Sequence, residues 1–95
     1  MELYYEWDEA KRKENIKKHK LDFRDAHLIY EHPLKFTIDS PKGKEDRKKD
    51  IAPVGDSILV LTLVYIKRDP GVRIISFRYA SRKERRFYYE HIDNS

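Results

Sequence analysis

The sequence predicts an α+β fold: one small domain in which a mostly antiparallel sheet of about five strands is packed by about three helices. Three observations carry this prediction. The chain has 95 residues, the size of one domain, so residues 1–95 read as a single unit. Strand-like stretches follow one another through the second half with turns and no helix between them, which is the order of antiparallel neighbours. Although 40% of the residues are charged, there are twelve aromatics (seven Tyr, four Phe, one Trp). That aromatic content belongs to a packed core and not to a disordered chain.

The elements follow in order. "LYYEW" alternates aromatics with period two and reads as a short strand. Asp8 is a helix N-cap, and "EAKRKENIKKHK" continues as a helix with few apolar positions, Ala10 and Ile16. This helix has a thin stripe to bury and a wide solvated face; Lys20 ends it. Asp22 caps a second helix, "FRDAHLIYEH", in which Phe23, Ala26 and Tyr30 share one apolar face. His32-Pro33 stops it, because the residue before proline is driven out of the helical region.

"LKFTIDS" alternates Leu34, Phe36 and Ile38 with Lys35, Thr37 and Asp39, a half-buried strand. "PKGKEDRKKD" is a charged turn, the tip of a long hairpin. "IAPVGDS" is a short strand whose Pro53 suits an edge or a bulge. "SILVLTLVYI" is apolar on both faces and is therefore the central strand. "KRDPG" turns the chain into the strand "VRIISFRYA". Ser81 and Glu84 then form a capping box that opens a third helix, "RKERRFYYEHI". The expected order is β-α-α-β-β-β-β-α, with the helices on one side of the sheet.

Charge narrows the function. The formal net charge is +4, and basic balance with many tyrosines favours a polyanionic partner, RNA or DNA before acidic protein. There are no cysteines, so disulfides and thiolate metal sites are excluded. The N-terminus "MELYYEWDEAKRKEN" has no apolar segment of the signal-peptide kind. The longest apolar run, "ILVLTLVYI", has nine residues, against the roughly 18–20 that cross a bilayer. A soluble, cytoplasmic protein without membrane contact is expected.

The densest chemistry lies in "RIISFRYASRKERRFYYE", residues 73–90. On a helical wheel Arg82, Arg85, Arg86 and Tyr89 gather on one face, and Phe87, Tyr88, His91 and Ile92 on the other. The second face packs on the sheet; the first is a basic stripe with Arg78 just before it on the strand. A helix starting here aims its positive end and free N–H groups outward. Guanidinium groups match phosphate oxygens with paired donors, and a neighbouring tyrosine can stack on a base. A solvated, cationic helix face without a ligand is the plainer reading of the same residues.

His19, His27, His32 and His91 show no H-x-x-x-H or H-E-x-x-H spacing, and no carboxylate cluster suits Mg²⁺. No metal and no cofactor is therefore expected. His19 closes the basic helix end "NIKKHK" and shares a face with Asn15. Cationic neighbours should press its pKa down and keep it able to accept a proton. Its plainer reading is a C-terminal helix residue interacting with the dipole.

Two segments together carry a resemblance. The first is W-D-x-x-K-x-x-x-N-x-x-K-H, from Trp7 to His19, continued by Phe23 and Ala26; the second is R-I-I-S-x-R-x-A-S-x-x-E-R-x-x-Y, from Arg73 to Tyr88. With "HPL" and "VG" between them, the chain resembles the BrnT family of toxins of bacterial type II toxin–antitoxin systems, similar in fold to RelE-type ribonucleases. Two positions depart from the family's usual pattern: Lys20 stands where glycine commonly follows the Lys-His pair, and Phe77 where a small residue commonly separates Ser76 from Arg78.

The resemblance implies metal-independent RNA cleavage that slows translation. It also implies a BrnA-like antitoxin with a ribbon-helix-helix DNA-binding domain, with operator DNA reached only through that antitoxin. Such cleavage needs proton transfer and cations on the phosphate. Arg78 and Arg82 are the candidates for charge stabilisation, and His19 with Lys18 for acid–base work. Arg73 or Arg85 adds a phosphate contact, with Arg86 beside them. The resemblance selects Tyr88 and the wheel selects Tyr89, and both stay candidates. Trp7, Phe23, Ala26, Ile74 and Ile75 are assigned to the core. A non-catalytic nucleic-acid-binding or protein-interaction module on the same fold is the rival function.

Overall fold

A computed structural model describes residues 4–55 and 59–93. The ends of "LYYEW", "IAPVGDS" and "SILVLTLVYI" at Leu3 and 56–58 lie outside the described residues. The elements are β1 (Tyr4–Glu6), α1 (Glu9–His19), a 3₁₀ turn (Phe23–Asp25), α2 (His27–Tyr30), β2 (Phe36–Asp39), β3 (Arg47–Pro53), β4 (Val60–Arg68), β5 (Gly71–Tyr79) and α3 (Arg82–Asp93). The sheet has five strands in the order β1-β5-β4-β3-β2. All neighbours are antiparallel except β1, which runs parallel to β5. The α+β class and the central place of the doubly apolar strand are as predicted. No helix among the described residues is long and apolar enough to cross a membrane.

Both predicted caps of α1 are present. Asp8 accepts from the Lys11 N–H at 3.1 Å, and Lys20 closes the helix at φ 62°, ψ 23°. That left-handed conformation is the one glycine favours at a helix end.

The second helix is shorter than expected. Asp22 accepts from the Arg24 N–H at 3.0 Å and starts a 3₁₀ turn; α2 is then one further turn, His27–Tyr30. Phe23, Ala26 and Ile29 are buried at 1%, 0% and 0% exposure. Their spacing of three suits the 3₁₀ repeat, so successive short turns bury them better than one long α-helix.

The charged hairpin is also shorter, because "RKKD" belongs to β3 and pairs with β4 from Arg47↔Ile66 onward. Asp50 is fully buried there. It accepts from Lys35 Nζ at 2.8 Å, Thr37 Oγ1 at 2.6 Å and the Tyr65 hydroxyl at 2.9 Å. A buried carboxylate is tolerated when donors surround it. Pro53 ends β3 beyond Ile51, the last residue that β2 pairs, so no N–H is missing from an interior ladder.

The helices cover both sides of the sheet, not one. Leu61, Leu63 and Tyr65 of β4 and Val72, Ile74 and Phe77 of β5 pack with Phe23, Ala26 and Ile29 on one face. On the other face Tyr88 packs with Ile51 and Val60, joined by Phe36, Ile38 and Ile92. β4 and the end of β3 carry buried apolar residues on both sides, Leu61, Leu63 and Ala52 on one and Val60 and Ile51 on the other, so each face needs its own cover.

One irregularity sets the surface chemistry. Val64 pairs with Ser76 while Tyr65 pairs with Ile74, so Ile75 is an extra residue in β5. This β-bulge reverses the alternation of side chains. Before it Val72 and Ile74 face the first core; after it Phe77 does. Arg73, Ser76 and Arg78 consequently share the opposite face, opposite Ile66, Val64 and Thr62. Phe77 is 1% exposed in the first core, so its bulk points away from the arginines.

Candidate functional site

Beyond Arg73 the strand β1 no longer pairs with β5, and α1 takes its place at that edge. Its buried residues are Arg12 and Asn15, both polar. Arg12 is held by Glu9 and, at 3.0 Å, by Asp22. Asn15 Nδ2 donates to the carbonyls of Phe77 at 2.7 Å and Leu21 at 2.9 Å, and its Oδ1 accepts from the Phe77 N–H at 3.2 Å. The amide acts as a one-residue extension of the sheet. His19 follows one helical turn later on the same face of α1.

An open groove of about 280 Å³ lies between this helix and the bulge, lined by Lys11, Glu14, Asn15, Lys18, His19, Lys42, Arg47, Ile75 and Ser76. Glu14 is its one carboxylate among four Lys and Arg side chains. Burial, then the charges of Lys18 and Arg78, hold the His19 imidazole below its usual pKa. Sequence reasoning anticipated the cationic cause; burial is the larger. A neutral imidazole among cations can take a proton at neutral pH.

Arg78 is paired. Its two terminal nitrogens meet Glu84 at 2.7 and 2.9 Å, and this contact keeps the guanidinium firmly charged against the opposing effect of burial. Glu84 also accepts from the Ser81 N–H at 2.9 Å, Lys49 Nζ at 3.1 Å and Thr62 Oγ1 at 3.1 Å. Burial alone would raise the pKa of this carboxyl, but Arg78, the Ser81 N–H and Lys49 hold it far below the usual range. The capping box is complete, since the Glu84 N–H donates to Ser81 Oγ at 3.1 Å. The start of α3 is therefore not the open anion site expected from the sequence: its own glutamate occupies it.

Along α3 the predicted faces hold. Arg82, Arg85, Arg86 and Tyr89 are exposed, whereas Tyr88 is buried. Tyr88 is 2% exposed and its hydroxyl donates to the Leu34 carbonyl at 2.8 Å, which sets it in the second core and away from the groove. The structure brings His19 and Lys18 together in the groove, with Arg78 close enough for its charge to act on His19 and with Arg73 on the same sheet face as Arg78. It leaves the Arg82, Arg85, Arg86 and Tyr89 stripe on the outside of α3. Lys11, Lys42, Arg47 and the partly buried Glu84 cluster escaped sequence reasoning. One signal was present: α1 is too polar to bury apolar groups, so its inward positions had to be polar and paired.

The model of the family of ribonuclease toxins, BrnT, of type II toxin–antitoxin systems matches residues 7–84. The chain belongs to this family. The match takes in His19, Asn15, Arg73, Arg78 and Glu84, and stops short of Arg85, Arg86, Tyr88 and Tyr89. Within this BrnT member, then, the matched portion holds the α1–β5 groove and the Arg78–Glu84 pair. No curated protein matches the chain.

Proposed function

We propose that this chain is a metal-independent endoribonuclease that cleaves RNA in the groove between α1 and β5 and so inhibits translation. The observation that supports this reading is His19 lining the groove, its proton affinity lowered, within reach of the charge of Arg78. His19 accepts the proton of a ribose 2′-hydroxyl. The 2′-oxygen bonds to phosphorus, the bond to the 5′-oxygen breaks, and the leaving oxygen takes a proton from Lys18 or water. Arg78, Arg73 and Lys18 balance the charge that grows on the phosphate. Arg82, Arg85, Arg86 and Tyr89 hold the flanking backbone along α3. Tyr88 is given no part, because its hydroxyl is buried and engaged. A BrnA-like antitoxin, carrying a ribbon-helix-helix domain that reaches operator DNA, neutralises the toxin.

The test is incubation of the purified chain with single-stranded RNA in EDTA. The expected products end in a 2′,3′-cyclic phosphate, and His19→Ala slows cleavage roughly a hundred- to ten-thousand-fold. Activity lost in EDTA and restored by Mg²⁺ would overturn the metal-free mechanism. RNA bound but left intact would leave a non-catalytic nucleic-acid-binding module. Expression without the antitoxin should arrest bacterial growth.

A further inference from the structure

A capping box requires its glutamate to accept one backbone N–H at the helix start. Glu84 does this and much more. Its side chain is 12% exposed, and its two oxygens take donors from β3, β4 and β5 as well as from its own helix: Lys49, Thr62, Arg78 and Ser81. Four separate segments converge on one carboxylate, and none of the extra contacts is needed to start α3.

The contact with Arg78 is the one that matters for the groove. It is end-on and paired, with both terminal nitrogens engaged at 2.7 and 2.9 Å. A guanidinium carries five N–H groups in a fixed fork. Glu84 takes two, and the one further contact among the described residues, to the Tyr79 carbonyl, is long at 3.4 Å. Arg78 therefore keeps donors free for a phosphate oxygen while its orientation is held from behind. Lys49 shares the same carboxylate, so two cations meet one anion and the cluster keeps a positive excess.

We propose that Glu84 is a positioning residue, whose carboxylate clamps the Arg78 guanidinium in the orientation that serves a phosphate in the groove. Its value to the reaction rests on the ribonuclease reading above; its hold on Arg78 does not. A guanidinium free to rotate would spend little time aligned with the transition state, and small misplacement of a catalytic group is costly in rate.

The experiment measures the two parts separately. Relaxation of the ¹⁵N-labelled Arg78 Nε–H reports the order of the side chain without any RNA. Wild type should give an order parameter near that of rigid backbone, about 0.85, and Glu84→Gln should fall below about 0.6. The glutamine can still accept from the Ser81 N–H but sets an NH₂ group against Arg78. Ser81→Ala, which weakens the cap and leaves the clamp, should keep Arg78 ordered. In RNA cleavage, Glu84→Gln should lower kcat by roughly a hundredfold with little change in KM, and Ser81→Ala should leave both near wild type.

An Arg78 side chain already disordered in wild type, or equally ordered in Glu84→Gln, overturns the proposal. So does a disordered Arg78 in a Glu84→Gln protein with unaltered kcat. If wild type cleaves no RNA, the ribonuclease reading fails while the order parameters still decide the clamp. Should Glu84→Gln not fold, Arg78→Lys keeps the charge and loses the fork: the same fall in kcat supports the clamp, and wild-type kcat rejects it.

Discussion

Asn15 and Phe77, 62 residues apart, are joined by two hydrogen bonds, Nδ2 to the carbonyl at 2.7 Å and the N–H to Oδ1 at 3.2 Å. A side-chain amide thus completes the sheet edge where β1 ends, and it sets the helix carrying His19 beside the strand carrying Arg78. Asn15→Ala leaves the Phe77 N–H and carbonyl without these partners. Each buried polar group left unpaired costs about 1–3 kcal/mol. Urea denaturation should show a loss of that order, with cleavage falling more than stability accounts for. An unchanged urea midpoint would mean that the helix is held by other contacts.

The pH dependence follows from His19. Its folded pKa is lowered, so the unfolded chain binds the proton more tightly. The stability contributed by the neutral imidazole is full above the unfolded pKa, about 6.5, and is lost as pH falls through the window below it. The base limb of the cleavage rate should likewise have its midpoint below 6.5. NMR titration of the ring and a pH–rate profile check both, and a midpoint above 6.5 contradicts the environment described for His19.

Lys20 stands at φ 62°, where a side chain is strained by about 1–2 kcal/mol and glycine is not. Lys20→Gly should stabilise the fold by about 1 kcal/mol after the entropy of glycine in the unfolded chain is deducted. Thermal denaturation of the two proteins decides it; a lower Tm for the glycine variant would show that the Lys20 side chain contributes more than its strain costs.

Tyr88→Phe removes a hydroxyl engaged with Leu34. A loss of about 0.5–1.5 kcal/mol in stability is expected, with cleavage by the folded protein unchanged. A hundredfold slower, fully folded variant would return this tyrosine to the reaction.

Arg78→Ala combines two effects. If the guanidinium stabilises the transition-state phosphate, about 2.7–4 kcal/mol of that stabilisation disappears. Glu84 also loses its paired partner while keeping Lys49, Thr62 and the Ser81 N–H, so the thermal midpoint should fall although the protein still folds. Rates must be taken on the folded fraction, and a folded variant cleaving at wild-type rate removes Arg78 from the mechanism.

Much of this was legible residue by residue. Asp8 and the Ser81–Glu84 box mark helix starts because capping is a local interaction, and β4 declares its central place by carrying apolar residues on both of its faces. The wheel separated the exposed arginines of α3 from Tyr88. The partner of the Tyr88 hydroxyl, the Leu34 carbonyl, lies far away in the chain and is set only by the fold.

Other features depend on partners that no local pattern names. "RKKD" is a run of charges until β4 pairs with it and Lys35, Thr37 and Tyr65 close around Asp50. Arg73 and Arg78 are five residues apart, and in a regular strand they would point to opposite faces. The single extra residue at Ile75 turns them to the same side. The sequence by itself determined the caps, the central strand and the basic stripe of α3, because those follow from neighbours along the chain. The bulge, the Asn15 clip and the five-donor hub at Glu84 were decided only when distant segments came into register, because each depends on hydrogen bonds that no single segment can make alone.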